Sequence, residues 1–433
     1  MSRLPGWIRR ALGLCLLAVV LAAPALSLVE GPAWSQASLA LPHSVFSGDV
    51  TDTRVMIWAR TSGPASVRVE YGTAPSLGVV ETRPAVPATF AADFTVKADL
   101  SNLRPNTRYS YRVIAEQGSE RASSLIGTFR TAPVPEESAD FAFAWGADTS
   151  ERFRPFVIFD AIRSKEPDFF LFLGDTVYAD IDGGARTLEE YRASYRRNRE
   201  DELLQRFGRA TSIYAIWDDH EVANNFDRTH ERIPLGRQAF MEYWPIRPDP
   251  VDPTRLYRSF RWGRLVEVFI LDARQYRSPA FERDTAQKTM LGSAQKEWLK
   301  RGLQSSDAVF KMIATSVPLK YHGADSWEGY TAERQELFDF IARNNIRRVV
   351  FLSGDVHYAA VLRYREGVVE AIAGPLAQII NRRRNVAGEP ETEFSFNSSF
   401  TFGLVRVTGS PPSLAIEIYD VEGRLLHRTV VQP

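Results

Sequence analysis

The 433-residue chain has a single cysteine, Cys15, and it lies in an apolar N-terminal stretch. Once that stretch is removed, no disulfide framework and no thiolate metal ligand remain. Net charge is also missing: 53 Lys and Arg balance 53 Asp and Glu, with a pI near 7.1. That excludes a global field favouring nucleic acid or an acidic membrane, and no nucleic-acid-binding surface is evident. Histidine is scarce, with six in the chain. There is no internal repeat and no low-complexity segment. The only long apolar run, Ala11 to Leu28, is interrupted by Pro24. A stable membrane anchor needs roughly 20 uninterrupted apolar residues. Arg3, Arg9 and Arg10 precede the run, and the small residues Ser35, Ala37 and Ser38 follow it. Basic, apolar, then cleavable is the order of an export signal, so residues 1–38 read as a signal peptide and the protein as exported. Arg9-Arg10 before Ala-Leu-Gly-Leu resembles a twin-arginine signal, with a general secretory leader as the alternative.

What is present describes an ordinary globular protein, 44% hydrophobic, 24% charged and 12% aromatic. Residues 41–133 hold short alternating runs, at Val55–Arg60, Ser66–Tyr71, Phe94–Asp99 and Tyr109–Ala115, separated by turn residues. This is the pattern of an all-β sandwich. Leu103-Arg-Pro-Asn-Thr-Arg-Tyr109 resembles the tyrosine corner of fibronectin type III domains, in which the Tyr hydroxyl bonds back to the chain, and the module reads as packing without chemistry. The Pro-rich acidic segment Thr131–Glu137 is the expected linker. From 139 to 433 strands alternate with longer helical stretches, Leu188 to Phe207 among them, predicting a layered α/β domain. The tail from Phe402 to Val431 returns to alternating β.

The organising stretch is Phe169 to Asp180, FFLFLGDTVYAD. An apolar run too short for a helix ends at Gly174-Asp175, lifting a carboxylate to the sheet edge where open α/β sheets place their active sites. Other strands end the same way, at Asp148, at Asp218-Asp219-His220-Glu221 and at Asp355-Val356-His357. A helix cap or turn explains any one of these aspartates. It does not explain the set, because capping calls neither for His after Asp nor for Gly-Asp after two buried strands. Two of the six histidines fall in these groups. His43, His230, His322 and His427 read as structural or surface residues. Several carboxylates at one sheet edge repel by roughly 4 kcal/mol per pair at about 4 Å and an effective dielectric near 20, so cations are expected among them. Two ions sharing a carboxylate would hold a hydroxide and clamp a phosphoryl group.

Asp148, Gly-Asp-Thr-Val-Tyr at 174–178, Trp-Asp-Asp-His-Glu at 217–221 and Gly-Asp-Val-His at 354–357 together resemble the PhoD-type alkaline phosphatases, a branch of the calcineurin-like metallophosphoesterases. Leu271–Arg277, Asp325–Tyr330 with Arg334, Phe46–Asp49 and Val55–Arg60 are similar too, so the resemblance covers the mature chain. It implies a metallophosphoesterase-type α/β/β/α sandwich over 139–433, preceded by a small fibronectin III-like β-sandwich over 41–133. It also implies a secreted phosphoesterase acting on phosphomonoesters or phosphodiesters by in-line attack of a metal-bound hydroxide. A phosphodiesterase of the phospholipase D or teichoic-acid type is the alternative within that class.

By this resemblance Asp175 bridges two metals. Asp148, Tyr178 and His357 complete one site, and Asp219, Asp355 and Asn225 form the other, of calcium type. His220 stands above as general acid or oxyanion donor. Asp218 either ligates metal or orients His220. Arg274 is a candidate phosphate clamp, with a buried ion pair to Asp272 as the alternative. Family members commonly carry Cys where this chain has Asp148. A carboxylate there makes Zn2+ or Mn2+ alternatives to the family's Fe3+ beside the Ca2+ site, and two or more ions are expected. Asp180 reads as structural. Arg382-Arg-Arg384 reads as a solvated loop, with a contact to an anionic substrate as the alternative. A non-enzymatic calcium-binding adhesion protein is the competing class, disfavoured because Ca2+ has little use for the His220 imidazole. Nothing calls for an oligomer, and the chain reads as a monomer.

Overall fold

The computed structural model describes residues 38–432, apart from 76, 78–80, 83, 322, 366 and 384. The leader with Cys15, His322 and Arg384 therefore lie outside the described residues. No helix among the described residues is long and apolar enough to cross a membrane.

Two sheets carry the α/β part. In the first, Phe141–Gly146, Phe169–Leu173 and Ser212–Ile216 run parallel, with Gly146 level with Phe172 and Phe172 level with Ala215. All five residues of Phe169–Leu173 are buried, as a strand covered on both faces requires. In the second, Val266–Ile270, Phe310–Ala314, Val349–Ser353 and Val369–Ile372 run parallel, with Ile270 level with Ala314 and Ala314 with Leu352. These registers bring the carboxyl ends of the strands in each sheet to one level. The acids that follow them emerge together for that reason.

The layering follows from the two-residue side-chain period of a strand. In the second sheet Val268, Ile270, Met312, Ala314, Val350 and Leu352 point into the core shared with the first sheet. Their neighbours Phe269, Ile313, Val349 and Phe351 pack instead with Leu299, Leu303, Leu337 and Ile341 of the helices Gly292–Ser305 and Thr331–Arg343. Aromatics fill the space between the sheets, with Phe169 and Trp262 rings 4.5 Å apart and Tyr214 and Phe260 4.3 Å apart. On the outer face of the first sheet, Phe159 stacks on Phe207 of the helix Glu202–Ala210 at 4.9 Å. The order is helix, sheet, sheet, helix, the α/β/β/α sandwich expected.

The helical stretch from Leu188 is two helices, Leu188–Arg199 and Glu202–Ala210. Asp201 breaks it: its carboxylate caps the second helix by accepting from Leu203 and Leu204 N–H, and accepts from Phe156 N as well. That cap and tertiary contact outweigh the continuity of the pattern. The C-terminal strands Thr401–Gly409, Pro412–Asp420 and Leu425–Val431 extend the first sheet antiparallel beside Phe141–Gly146.

The N-terminal strands divide. Ala65–Thr73, Arg108–Gln117 and Gly127–Arg130 belong to a separate six-stranded sheet. Val45–Gly48, Val55–Arg60 and Thr95–Leu100 continue the first α/β sheet through the single parallel pair Gly48 with Ile213. The Tyr109 hydroxyl accepts from Arg104 N at 2.8 Å, which is the tyrosine corner read in the sequence.

Candidate metal centre

Three of the four strand ends deliver their site residues on a tightly turned backbone. Asp148, Asp175, Asp355 and His357 all have left-handed φ, between 49° and 70°. Few residues other than Gly enter that region, Asp and Asn the most readily, and its cost of about 1–3 kcal/mol persists where surrounding structure imposes it. The turns aim the side chains into one volume. Asp148, Asp175 and His357 can each offer a ligand atom within 4.8 Å of the others; so can Asp175, Asp219 and His220, and so can Asp218, Asp219 and Asp355. Asp175 belongs to two of these groups. Tyr178 joins the first, its hydroxyl 3.2 Å from His357 Nε2.

Cations fit here on the chemistry of the donors. Both Asp148 carboxylate oxygens and Asp219 Oδ1 are buried with no hydrogen-bond partner among the described residues, a cost that buried acids do not bear unless something positive lies between them. Gly374, with φ +152°, leaves room for this: a Cβ there would lie 2.7 Å from Asp148 Oδ2. Burial, and then Asp218 and Asp219, hold the Asp148 carboxyl well above the usual range. Burial followed by Asp219 and Asp218 does the same to Asp175. Asp355 is raised by burial, then by Asp218 and Asp325, and Arg274 opposes the shift only in part. Burial lowers the His357 imidazole to about 4, leaving it neutral and ready to ligate. Burial, then Asp175 and Asp148, keep the Tyr178 phenol protonated well above its usual range. A cation inverts these preferences.

The comparisons with known proteins identify the family. Residues 141–399 match the family model of the PhoD-like phosphatases, and residues 26–133 match the model of the PhoD-like phosphatase N-terminal domain. The chain belongs to the PhoD-like phosphatase family. It is 29% identical over 314 residues to alkaline phosphatase D of Bacillus subtilis (strain 168), covering 61% of this chain and 53% of that protein. The matched stretch thus spans about half the length of this curated relative. A solved structure of PhoD superimposes with a TM-score of 0.81 at 22% identity, over 93% of this chain and 94% of the other. The purple acid phosphatase PPD1 from yellow lupin (Lupinus luteus) seeds gives 0.67 at 15% identity, over 91% and 74%. At these identities the two likenesses show a shared fold.

In this chain the surroundings of the candidate ligand groups correct three readings. Arg274 does not present itself as a phosphate clamp. Its side chain is fully buried, and it spends Nε and Nη2 on Asp218 and Nη1 and Nη2 on Asp325. Nor is Asp272 its partner in an ion pair; that carboxylate accepts from Trp217 Nε1 and Gln275 Nε2 and from the backbone N–H of Arg274 and Gln275. Arg274 sits 3.7 Å from Asp219 Oδ1 and 3.6 Å from Asp355 Oδ1 and acts from behind them. Burial works against the Asp219 carboxylate, but Arg274 and His220 outweigh it and hold its pKa low. Asp218, with both oxygens on Arg274, does not orient His220.

Asp180 does that instead. Its Oδ1 lies 2.7 Å from His220 Nδ1, and its Oδ2 accepts from Asn224 N. The signal lies in the organising stretch Phe169 to Asp180, but forty residues separate the pair and only folding joins them. The Asn225 side chain is exposed, and its amide fits its surroundings with the nitrogen toward Asp219 and Asp325, so a donor faces the cluster. Asp325 has no role legible in the sequence. Here it ties Arg274 to Arg277, accepting from Arg277 Nη2 at 2.6 Å.

Glu221 holds the Gly174-Asp175 turn. Fully buried, it accepts from Asp175 N, Thr176 N, Thr176 Oγ1 and Asp218 N, fastening two strand ends to each other. Gly174 is required by the same approach: φ is +98°, and a Cβ would lie 2.4 Å from Asp218 Cβ. Gly174→Ala is expected to cost about 3 kcal/mol or more, from backbone strain plus overpacking. Urea denaturation with the midpoint shifted down and the slope unchanged checks this.

Proposed function

We propose that the chain is an exported, metal-dependent phosphoesterase that hydrolyses phosphomonoesters, phosphodiesters or both. The observation that carries this reading is Asp175, whose carboxylate belongs at once to the Asp148–His357 group and to the Asp219–His220 group. A shared carboxylate between two cation positions suits phosphoryl transfer. When bound, such a pair supplies an activated water and neutralises phosphoryl oxygens. Asp148, Tyr178, His357 and Asp175 would hold one ion, of a kind that accepts nitrogen and phenolate, such as Fe3+, Zn2+ or Mn2+. Asp175, Asp219 and Asp355 would hold the other, oxygen-bound, with Ca2+ favoured.

The protein's own part falls to His220. Its Nε2 stands 3.8 Å from Asp175 Oδ2, and its ring lies against Tyr178 with centroids 4.2 Å apart. Burial would lower its pKa, but Asp219 and the Asp180 hydrogen bond outweigh burial and raise it to about 9. The imidazolium is thus positioned to donate to a phosphoryl oxygen or to the departing alkoxide. An imidazole so oriented is of no use to a calcium-binding scaffold, which argues against that class. Export is supported by the basic and apolar leader in the sequence. A division of the sequence into 41–133 and 139–433 is supported by the Pro-rich linker between the two matched segments, with Val45–Gly48, Val55–Arg60 and Thr95–Leu100 of the first part joined to the sheet of the second.

Turnover of p-nitrophenyl phosphate and bis-p-nitrophenyl phosphate, with and without chelator, tests the reading. Chelation is expected to abolish activity on at least one ester, and His220→Ala to lower kcat about a hundredfold to ten-thousandfold. Metal-independent turnover, or none, would sink it. Asp180→Asn is expected to lower kcat about tenfold. With the carboxylate gone, the His220 pKa falls, so the alkaline limb of the rate profile moves to lower pH. A profile that keeps its alkaline limb in place would show that Asp180 does not act through His220.

A further inference from the structure

A cavity of about 490 Å³ opens beside the metal centre, lined by Tyr321, Asp355, His357, Asn381, Arg382 and Arg383 among others. Asp355 and His357 are candidate ligands, so the cavity and the proposed reaction site share a wall. The two arginines stand on that wall exposed, and neither makes a hydrogen bond or ion pair with any described residue. The arginines nearest the core are paired instead. Arg274, Arg277, Arg258 and Arg192, for example, are each engaged by carboxylates.

The loop that carries them is held to the catalytic turn. Asn381 N donates to His357 O at 3.0 Å, and Asn381 Nδ2 donates to Val356 O and to the Tyr321 hydroxyl. Asn397 Nδ2 in turn donates to Asn381 O at 3.1 Å. The arginines therefore follow, by one and two residues, a position bonded to the candidate ligand residue His357 and to Val356 beside it. A solvated loop has no need of that attachment.

We propose that Arg382 and Arg383 form a subsite for a second anionic group, a carboxylate or a phosphate, on the alcohol portion of the substrate. The substrate class is then a phosphoric ester whose leaving group is itself anionic. This rests on the phosphoesterase reading and deepens it. The guanidinium forks match the planar oxygens of either anion, and a subsite of this sign beside an acidic floor orients a doubly charged ester with its reacting phosphoryl group toward the cations.

Phosphonates test this without turnover, because their P–C bond is not hydrolysed. Calorimetry on the metal-loaded protein compares phenylphosphonate with 4-carboxyphenylphosphonate and 1,4-phenylenediphosphonate, and the readout is the ratio of affinities. Wild type is expected to favour one or both dianchored ligands about tenfold, and whichever arm shows the preference identifies the anion. The preference is expected to disappear in the R382S/R383S double variant and to survive largely in R382K/R383K. A ratio near one in wild type, or a ratio left unaltered by R382S/R383S, overturns the subsite. A protein that fails this test but hydrolyses the nitrophenyl esters loses only the subsite. One that hydrolyses neither ester loses the phosphoesterase reading itself.

Discussion

Asp175→Asn is expected to lower kcat/KM by about a thousandfold or more, roughly 4 kcal/mol of transition-state stabilisation. The magnitude follows from its double membership. Disturbing a residue that merely orients a ligand already costs about ten- to a hundredfold in metal affinity or activity, and this carboxylate belongs to two of the groups that could hold a cation. The substitution is nearly isosteric, and an amide oxygen can still accept from His220 N as Oδ1 does at 3.2 Å.

Its effect on stability should change sign with the metal. In chelator, burial and the neighbouring carboxylates raise the folded-state pKa of Asp175 above its unfolded value. A raised carboxyl pKa means that the folded state holds the proton more tightly, so the associated stability is complete in acid and is lost as pH rises through the shifted value. The stripped wild type should therefore lose stability from the ordinary carboxylate range upward, and Asp175→Asn, which has no such charge to bury, should melt higher than wild type at pH 8. The difference should vanish toward pH 4. With metal present the order reverses, because binding to the folded state stabilises wild type and the variant forgoes much of it. Melting curves over pH, with and without chelator, give the answer. A variant less stable than wild type in chelator at pH 8 would mean that the acids do not repel there as described.

Asp325→Ala is the second large effect, on stability rather than chemistry. Asp325 accepts from Arg274 Nη1 and Nη2, both at 2.9 Å, and from Arg277 Nη2 at 2.6 Å. The side chains of both arginines have no exposed surface. Arg274 keeps Asp218, but no other carboxylate pairs with Arg277 among the described residues. Removing one partner of a buried pair costs about 3–5 kcal/mol, since a guanidinium is left desolvated and uncompensated. With roughly 2.1 cal/mol/K of unfolding entropy per residue over about 400 residues, that is a fall of about 4–6 °C in melting temperature. Asp325→Asn, which keeps an acceptor, should lose less. Activity should fall about ten- to a hundredfold as well, because Arg274 braces Asp219 and Asp355 from behind. An Asp325→Ala protein that melts with wild type would show the arginine pair to be solvated in solution.

Local sequence determined the strands and their ends. Runs such as FFLFL are buried on both faces whatever their partners, and a Gly-Asp after such a run has to turn out of the sheet. That is why Asp148, Asp175, Asp219, Asp355 and His357 were legible as a set, and why Tyr109 was legible as a corner. The family motif then assigned them to metals, which spacing alone could not. Tertiary structure decided the partners. The pairing of Asp180 with His220, and of Arg274 with Asp218 and Asp325 instead of Asp272, spans forty to fifty-six positions of chain. No periodicity reports contacts at that range, since they arise only when the registers of two sheets bring separate strand ends to one level. The route of the N-terminal strands was likewise hidden: alternation shows that a strand has one buried face, but not which sheet it joins. What the sequence determined was therefore the strand ends that carry the candidate ligands, because each is encoded within a few residues. What only the fold decided was which charge stands behind each candidate ligand, because that depends on chain segments meeting through packing.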